Sequence, residues 1–138
     1  MKKFLLTLFV LFITASFGIC STTSYDKYGM KTGSYNRTGS TINKYDKYGT
    51  KTGSFKETAN GYNSYDKYGS KTGSYKTSGN ITTQYDKYGS KVGTYKTNSN
   101  GGTTQYDKYG QKTGSFKKDS SGRITEYDKY GRKLGSYK

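Results

Sequence analysis

The chain has 138 residues, with 24 Lys and Arg against nine Asp and Glu, 17 Tyr, one Cys, and no His, Pro or Trp. The absence of His excludes a His-based catalytic triad and a His-ligated metal site, and a single Cys excludes an intramolecular disulfide. Ile, Val and Leu are scarce after residue 20, so a folded domain there has to build its core from aromatic rings.

Residues 1–20 have the composition of a secretory signal peptide. Lys2 and Lys3 supply a positive start, and an apolar run follows from Phe4 to Phe17. This run is shorter than a typical membrane-spanning helix. The segment therefore predicts export to the periplasm, the outer membrane or the extracellular space, with an uncleaved N-terminal anchor as the alternative.

Cys20 stands at the end of the apolar run, directly before Ser21. An acylated cysteine would hold this place in a bacterial lipoprotein, although Ile19 occupies a position where such signals usually have Gly or Ala. The two other possibilities are that signal peptidase cleaves after Cys20 or that it cleaves after Gly18. Lipidation of Cys20, which would anchor the protein in a membrane, is thus one of three possibilities.

Residues 21–138 form a repeat domain in which one thirteen-residue phrase, centred on YDKYG, occurs six times. The copies are SYDKYGMKTGSYN (24–36), KYDKYGTKTGSFK (44–56), SYDKYGSKTGSYK (64–76), QYDKYGSKVGTYK (84–96), QYDKYGQKTGSFK (105–117) and EYDKYGRKLGSYK (126–138). Spacers of seven and then eight residues separate them, so the period is 20 and then 21. A fixed period of this size is typical of repeat architectures with one small structural unit per period.

Each period reads as two strands and two turns. Asp-Lys-Tyr-Gly has the residue preferences of a type I turn, followed by a glycine that adopts positive φ. Tyr, Thr, Phe, Ile and Val on either side are typical strand residues. The spacers are rich in Gly, Asn and Ser and supply the second turn. Six copies therefore predict twelve short strands in an all-β domain.

Comparison of the copies indicates which positions pack. The last ring of the phrase is Tyr in four copies and Phe in two, so we expect a buried ring whose hydroxyl is dispensable. These structural rings are Tyr35, Phe55, Tyr75, Tyr95, Phe116 and Tyr137. The position of Thr32 also accepts Val92 and Leu134, which predicts a half-buried site. Gly33 and its equivalents lie two residues before the ring, which predicts a close backbone approach.

The pattern Y-D-x-x-G-x-K-[TVL]-G-[ST]-[YF] over 24–138 resembles the repeats of the bacterial β-flower proteins. This resemblance implies a pseudo-symmetric ring or shallow barrel of about six repeated β-hairpins, with a period of 20–21, similar to the five-fold β-flowers. The β-flower fold is similar to the Tubby-like barrel, for which lipid binding has been suggested. A weaker resemblance links GRITEYDKYGRKLGSY (122–137) to the YD repeats of Rhs proteins, in which case the chain would be a fragment of a larger shell.

The charged residues indicate a binding protein or a scaffold and not an enzyme. Each aspartate of the phrase is expected to cap its own turn, with neither a catalytic nor a metal-binding role, and we predict no cofactor and no small-molecule substrate. Two lysine sets recur in every copy. The predicted anion-binding set is Lys27, Lys47, Lys67, Lys87, Lys108 and Lys129, and the second set lies four residues further on.

Lysine rows interleaved with tyrosines would attract anionic lipid headgroups or cell-wall polymers. Nucleic acid is a poor candidate because the chain is predicted to be exported. The alternative hypothesis is a purely structural or protein-interaction scaffold, in which the lysines keep the protein soluble and protect strand edges.

Overall fold

A computed structural model describes residues 21–138, and the predicted signal peptide, including Cys20, lies outside the described residues. Twelve antiparallel strands form one closed barrel, so the prediction of an all-β ring of six hairpins is confirmed. The strands are β1 (Ser21–Asp26), β2 (Lys31–Thr38), β3 (Thr41–Asp46), β4 (Lys51–Thr58), β5 (Gly61–Asp66), β6 (Lys71–Ser78), β7 (Ile81–Asp86), β8 (Lys91–Thr97), β9 (Thr103–Asp107), β10 (Lys112–Lys118), β11 (Ile124–Asp128) and β12 (Lys133–Tyr137).

The barrel closes because the first strand pairs with the last. Asp26 lies opposite Gly135, and Thr23 and Lys138 exchange two backbone hydrogen bonds of 2.7 and 2.9 Å. The same Gly–Asp register occurs wherever one hairpin meets the next, as in Gly73 opposite Asp86. All six copies are therefore related by the same step around the barrel.

The DKYG turns all lie at one end of the barrel, which we call the crown end. In the first copy, the Gly29 N–H donates to the Asp26 carbonyl at 3.1 Å, and Gly29 has a φ of 85°. The Asp26 Oδ1 accepts hydrogen bonds from the backbone N–H groups of Tyr28 and Met30, both at 2.9 Å. The other five copies repeat these bonds. Each aspartate is thus a turn residue.

The spacer turns lie at the opposite end, which we call the spacer end, and they have two forms. The first three connect paired strands through two residues, as between Thr38 and Thr41. The last two copy the DKYG turn: the Asn98 Oδ1 accepts from the N–H groups of Asn100 and Gly102 at 3.1 and 2.8 Å. The extra residue that lengthens the period to 21 is accommodated by this larger turn.

Aromatic rings fill the barrel interior. The core consists of the six structural rings together with Ile42, Tyr62 and Ile124. A barrel of twelve strands is wider than one of eight, so long side chains are needed to reach its axis. Each buried ring removes about 150–250 Å² from water, which contributes roughly 4–6 kcal/mol as an upper bound.

The glycines before the rings allow neighbouring strands to approach. A Cβ placed on Gly53 would lie 2.7 Å from the carbonyl oxygen of Tyr65, closer than any carbon can approach. Beside these glycines a register shift breaks the strand alternation, as between Ser24 and Tyr25 opposite Lys31 and Gly33.

The expectation of a half-buried position at Thr32 and its equivalents was largely wrong, because the register shift lies at this position and interrupts the alternation of inward and outward side chains. Val92 and Thr113 are half-buried, whereas the other four residues at this position are exposed.

Candidate functional site

The crown end carries six identical Lys–Tyr pairs, one in each DKYG turn. Each lysine Nζ lies 4.8 or 4.9 Å from the ring centroid of the tyrosine that follows it. These tyrosines are 73–81% exposed. We call this set the crown; its members are Lys27, Tyr28, Lys47, Tyr48, Lys67, Tyr68, Lys87, Tyr88, Lys108, Tyr109, Lys129 and Tyr130.

A second set of six lysines follows the crown turns. These residues begin the even-numbered strands directly after the DKYG turns and are all exposed. They are Lys31, Lys51, Lys71, Lys91, Lys112 and Lys133. With Arg132, the crown end thus has thirteen basic side chains against the six aspartates of the turns.

The crown lysines have no carboxylate partner among residues 21–138. Two ion pairs occur in this part of the chain, Arg37–Glu57 and Arg132–Asp128, both at 2.7 Å. The turn aspartates instead accept backbone hydrogen bonds. Hydrogen bonds from Arg132, above all the one from its backbone N–H, hold the pKa of Asp128 below its usual range. The positive charge of the lysines therefore remains available to an external anion.

A third group of lysines lies on the outer wall of the barrel, nearer the spacer end. Lys56, Lys76, Lys96, Lys117 and Lys138 are exposed, and each follows a buried structural ring, so it points outward. Lys76 and Lys117 lie 5.7 and 5.5 Å from the rings of Tyr85 and Tyr127. This wall group does not recur in the first copy, where Asn36 holds the place.

The interior contains a polar position that sequence reasoning missed. The residue before each Tyr-Asp pair points into the barrel and changes from copy to copy. These residues are Ser24, Lys44, Ser64, Gln84, Gln105 and Glu126. Their variation within an otherwise constant phrase was the available signal.

Glu126 is the buried acid of this interior position. It is 4% exposed, and its Oε2 accepts a hydrogen bond of 3.2 Å from the Tyr137 hydroxyl. Burial raises the pKa of Glu126 to about 7. Burial, and after it the charge of the Glu126 carboxylate, raises the pKa of Tyr137 above its usual value. Two other residues of this interior set, Gln84 and Gln105, share the hydroxyl of Tyr95. That hydroxyl donates to Gln84 Oε1 at 3.2 Å and accepts from Gln105 Nε2 at 3.4 Å.

At the spacer end, an open depression of about 500 Å³ is lined by hydroxyl and amide side chains between two spacer turns. Its lining includes Asn80, whose Nδ2 donates to the Thr97 carbonyl at 3.1 Å, and the buried Thr82. It has no charged or aromatic lining residue, so it offers less for recognition than the crown.

Within residues 21–138, no three side chains of the metal-ligating types come together, and no helix has the length and apolarity needed to cross a membrane. Neither the protein-family models nor the curated proteins compared with this chain match it.

Proposed function

We propose that this chain is an exported, non-enzymatic repeat protein whose crown binds anionic components of the cell envelope, either lipid headgroups or wall polymers. The observation that carries the proposal is the crown itself: six exposed Lys–Tyr pairs at one end of the barrel, with no carboxylate paired to any crown lysine in residues 21–138.

Because the Lys–Tyr pair is repeated six times, individually weak contacts with an anionic surface can add up to measurable binding. A lysine near an anionic surface contributes on the order of 1 kcal/mol, and six in one ring act together once the first has bound. Exposed tyrosines add stacking and hydrogen-bonding groups beside each charge. Because the lysines are solvated, the attraction should weaken as the Debye length falls from about 10 Å at 0.1 M salt to about 3 Å at 1 M.

A structural scaffold is the second candidate, and the closed seam between β1 and β12 favours it. A barrel without free edges is protected from edge-to-edge aggregation, and its lysines then serve solubility alone. Export and the relationship to the β-flower proteins remain predictions from the sequence.

The test uses the whole chain expressed in an exporting host and carrying Cys20→Ser, which removes any acyl anchor. Binding to anionic vesicles and to a poly(glycerol phosphate) wall polymer is measured at low and high salt. We expect salt-sensitive binding that is lost when Lys27, Lys47, Lys67, Lys87, Lys108 and Lys129 are all changed to Gln, with the circular dichroism spectrum unchanged. A wild-type chain that ignores both probes at low salt would leave the scaffold candidate standing.

A further inference from the structure

We propose that the crown docks end-on on an anionic phospholipid bilayer, with the barrel axis along the membrane normal and the crown tyrosines at headgroup level. The inference rests on the proposed binding of anions by the crown and deepens it by choosing a surface over a linear polymer. Three features of the barrel carry it: the common height of the six turns, the position of the first and last residues of the segment 21–138, and the chemistry of each Lys–Tyr pair.

The six turns lie at one height because every hairpin makes the same register step and the barrel closes on itself. Ser24 pairs with Gly33, which pairs with Asp46, so each hairpin is staggered by two residues relative to the one before it. Each junction between hairpins pairs the phrase glycine with the next turn aspartate, and the closing junction pairs Gly135 with Asp26 in the same way. Identical turns at identical registers place the crown pairs in one plane around the barrel axis. A flat surface can touch all six at once.

The two ends of the described segment, residues 21–138, lie away from this plane. Strand β1 begins with Ser21 at the spacer end, and Lys138 hydrogen-bonds to Thr23 at that same end. The crown end of the described chain therefore consists of turns alone. A docked surface would meet no entering or leaving segment of residues 21–138.

Each crown pair has the chemistry of a membrane interface. Tyrosine combines an apolar ring with a polar hydroxyl and favours the headgroup level of bilayers, where lysine ammonium groups meet anionic phosphates. Tyr68, for example, is 81% exposed, although it is among the largest side chains in its copy. The ammonium of Lys67 lies 4.8 Å from the centroid of this ring, so a surface that meets the ring also meets the charge.

The ring arrangement favours a bilayer over a linear polymer. Anionic headgroups occupy two dimensions, so they match every pair in a closed ring simultaneously. A linear polyanion crossing the crown reaches only some of the pairs at a time, and the gain from multivalency falls accordingly.

The first experiment compares two lysine quartets that change the net charge equally. The crown quartet replaces Lys47, Lys67, Lys87 and Lys108 by Gln, and the wall quartet replaces Lys56, Lys76, Lys96 and Lys117 by Gln, both in the full chain with Cys20→Ser. Vesicles of phosphatidylglycerol and phosphatidylcholine in equal parts are the probe. We expect the crown quartet to weaken binding by on the order of a hundredfold and the wall quartet by less than about threefold. Equal weakening by both quartets would overturn the proposal.

The second experiment reads orientation directly, because the chain contains no Trp. Tyr68→Trp places a single fluorophore in the crown, and Ser120→Trp places one in a spacer turn. Phosphatidylglycerol brominated near the headgroup should quench the first and leave the second unchanged. Quenching of both, or of the spacer reporter alone, would contradict end-on docking through the crown.

Failure of this inference can be told apart from failure of the proposed function. Binding of soluble poly(glycerol phosphate), lost in the crown quartet, together with no binding to vesicles would refute bilayer docking and keep anion binding by the crown. Binding to neither probe would refute both.

Discussion

At the crown all six copies carry the same Lys–Tyr pair, whereas inside the barrel the residue before each Tyr-Asp pair changes from copy to copy. The crown tyrosines are 73–81% exposed, and the structural rings are all buried. The inner position holds Ser, Lys, Gln and Glu in a space where each polar atom needs a partner, as Glu126 has in Tyr137. Both regions come from the same repeated phrase.

This difference indicates what each region needs. A surface that acts by multivalency requires equal copies, because every pair must reach the same plane. In the interior, each buried polar side chain needs its own hydrogen-bond partner, so the residue at this position depends on the neighbours of each copy. Substitutions that move a residue from one kind of environment to the other should therefore have unequal effects.

The largest expected effect comes from comparing two aromatic residues of the fifth copy. Phe116→Ala should lower the free energy of unfolding by about 3–5 kcal/mol, because the ring is 1% exposed and its removal leaves a cavity. Tyr109→Ala, at a crown ring that is 77% exposed, should change it by less than about 0.5 kcal/mol. Urea denaturation of both variants measures the difference, and similar losses would show that the crown ring also packs.

The buried acid should make stability depend on pH. Burial raises the pKa of Glu126 to about 7, so the folded barrel favours the protonated carboxyl. The stability that this proton contributes is fully present below the ordinary pKa of a glutamate, and it is lost as pH rises through about 7. Glu126→Gln, which copies the residue of the fourth and fifth repeats, should stabilise the barrel by up to about 3 kcal/mol near pH 8. Near pH 4 the two proteins should unfold at the same denaturant concentration. A pH-independent difference would mean that Glu126 is not buried as a titrating group.

A turn aspartate should have a smaller effect. Asp66→Ala leaves the backbone N–H groups of Tyr68 and Ser70 without their 2.9 Å acceptor and should cost about 1 kcal/mol. Asp66→Asn keeps an acceptor oxygen in place, as Asn98 does in the fourth spacer turn, and should cost only a few tenths of that. Thermal unfolding compares the stability of the two variants. If both are destabilised equally, the negative charge of Asp66 is responsible and not its acceptor oxygen.

The smallest stability change is expected for the crown quartet itself. An exposed Lys–Tyr contact contributes about 0.5–1 kcal/mol at most, and removing four positive charges relieves repulsion among the crown lysines. The quartet should therefore melt within a few degrees of the wild-type chain while losing its affinity for anionic vesicles. A large loss of stability would mean that the lysines support the turns.

Much of the candidate site could be predicted from residue order alone. Asp26 and Gly29 specify their turn through a side-chain acceptor and a positive φ, and both act within four residues of the chain. The exchange of Tyr75 for Phe55 or Phe116 at one position indicated a packed ring whose hydroxyl is dispensable. The position of Thr32 was misjudged because a register shift interrupts the alternation that such reasoning assumes.

By itself, the sequence determined the period, the twelve strands, the crown turns and the ring positions, because each depends on interactions between residues near one another in the chain. Only the tertiary structure decided that β1 pairs with β12, that the six Lys–Tyr pairs share one plane, and that Glu126 lies beside Tyr137 inside the barrel. These depend on how far the barrel curves before its ends meet. That curvature arises from strand twist and register summed over all twelve strands, and no single repeat contains it.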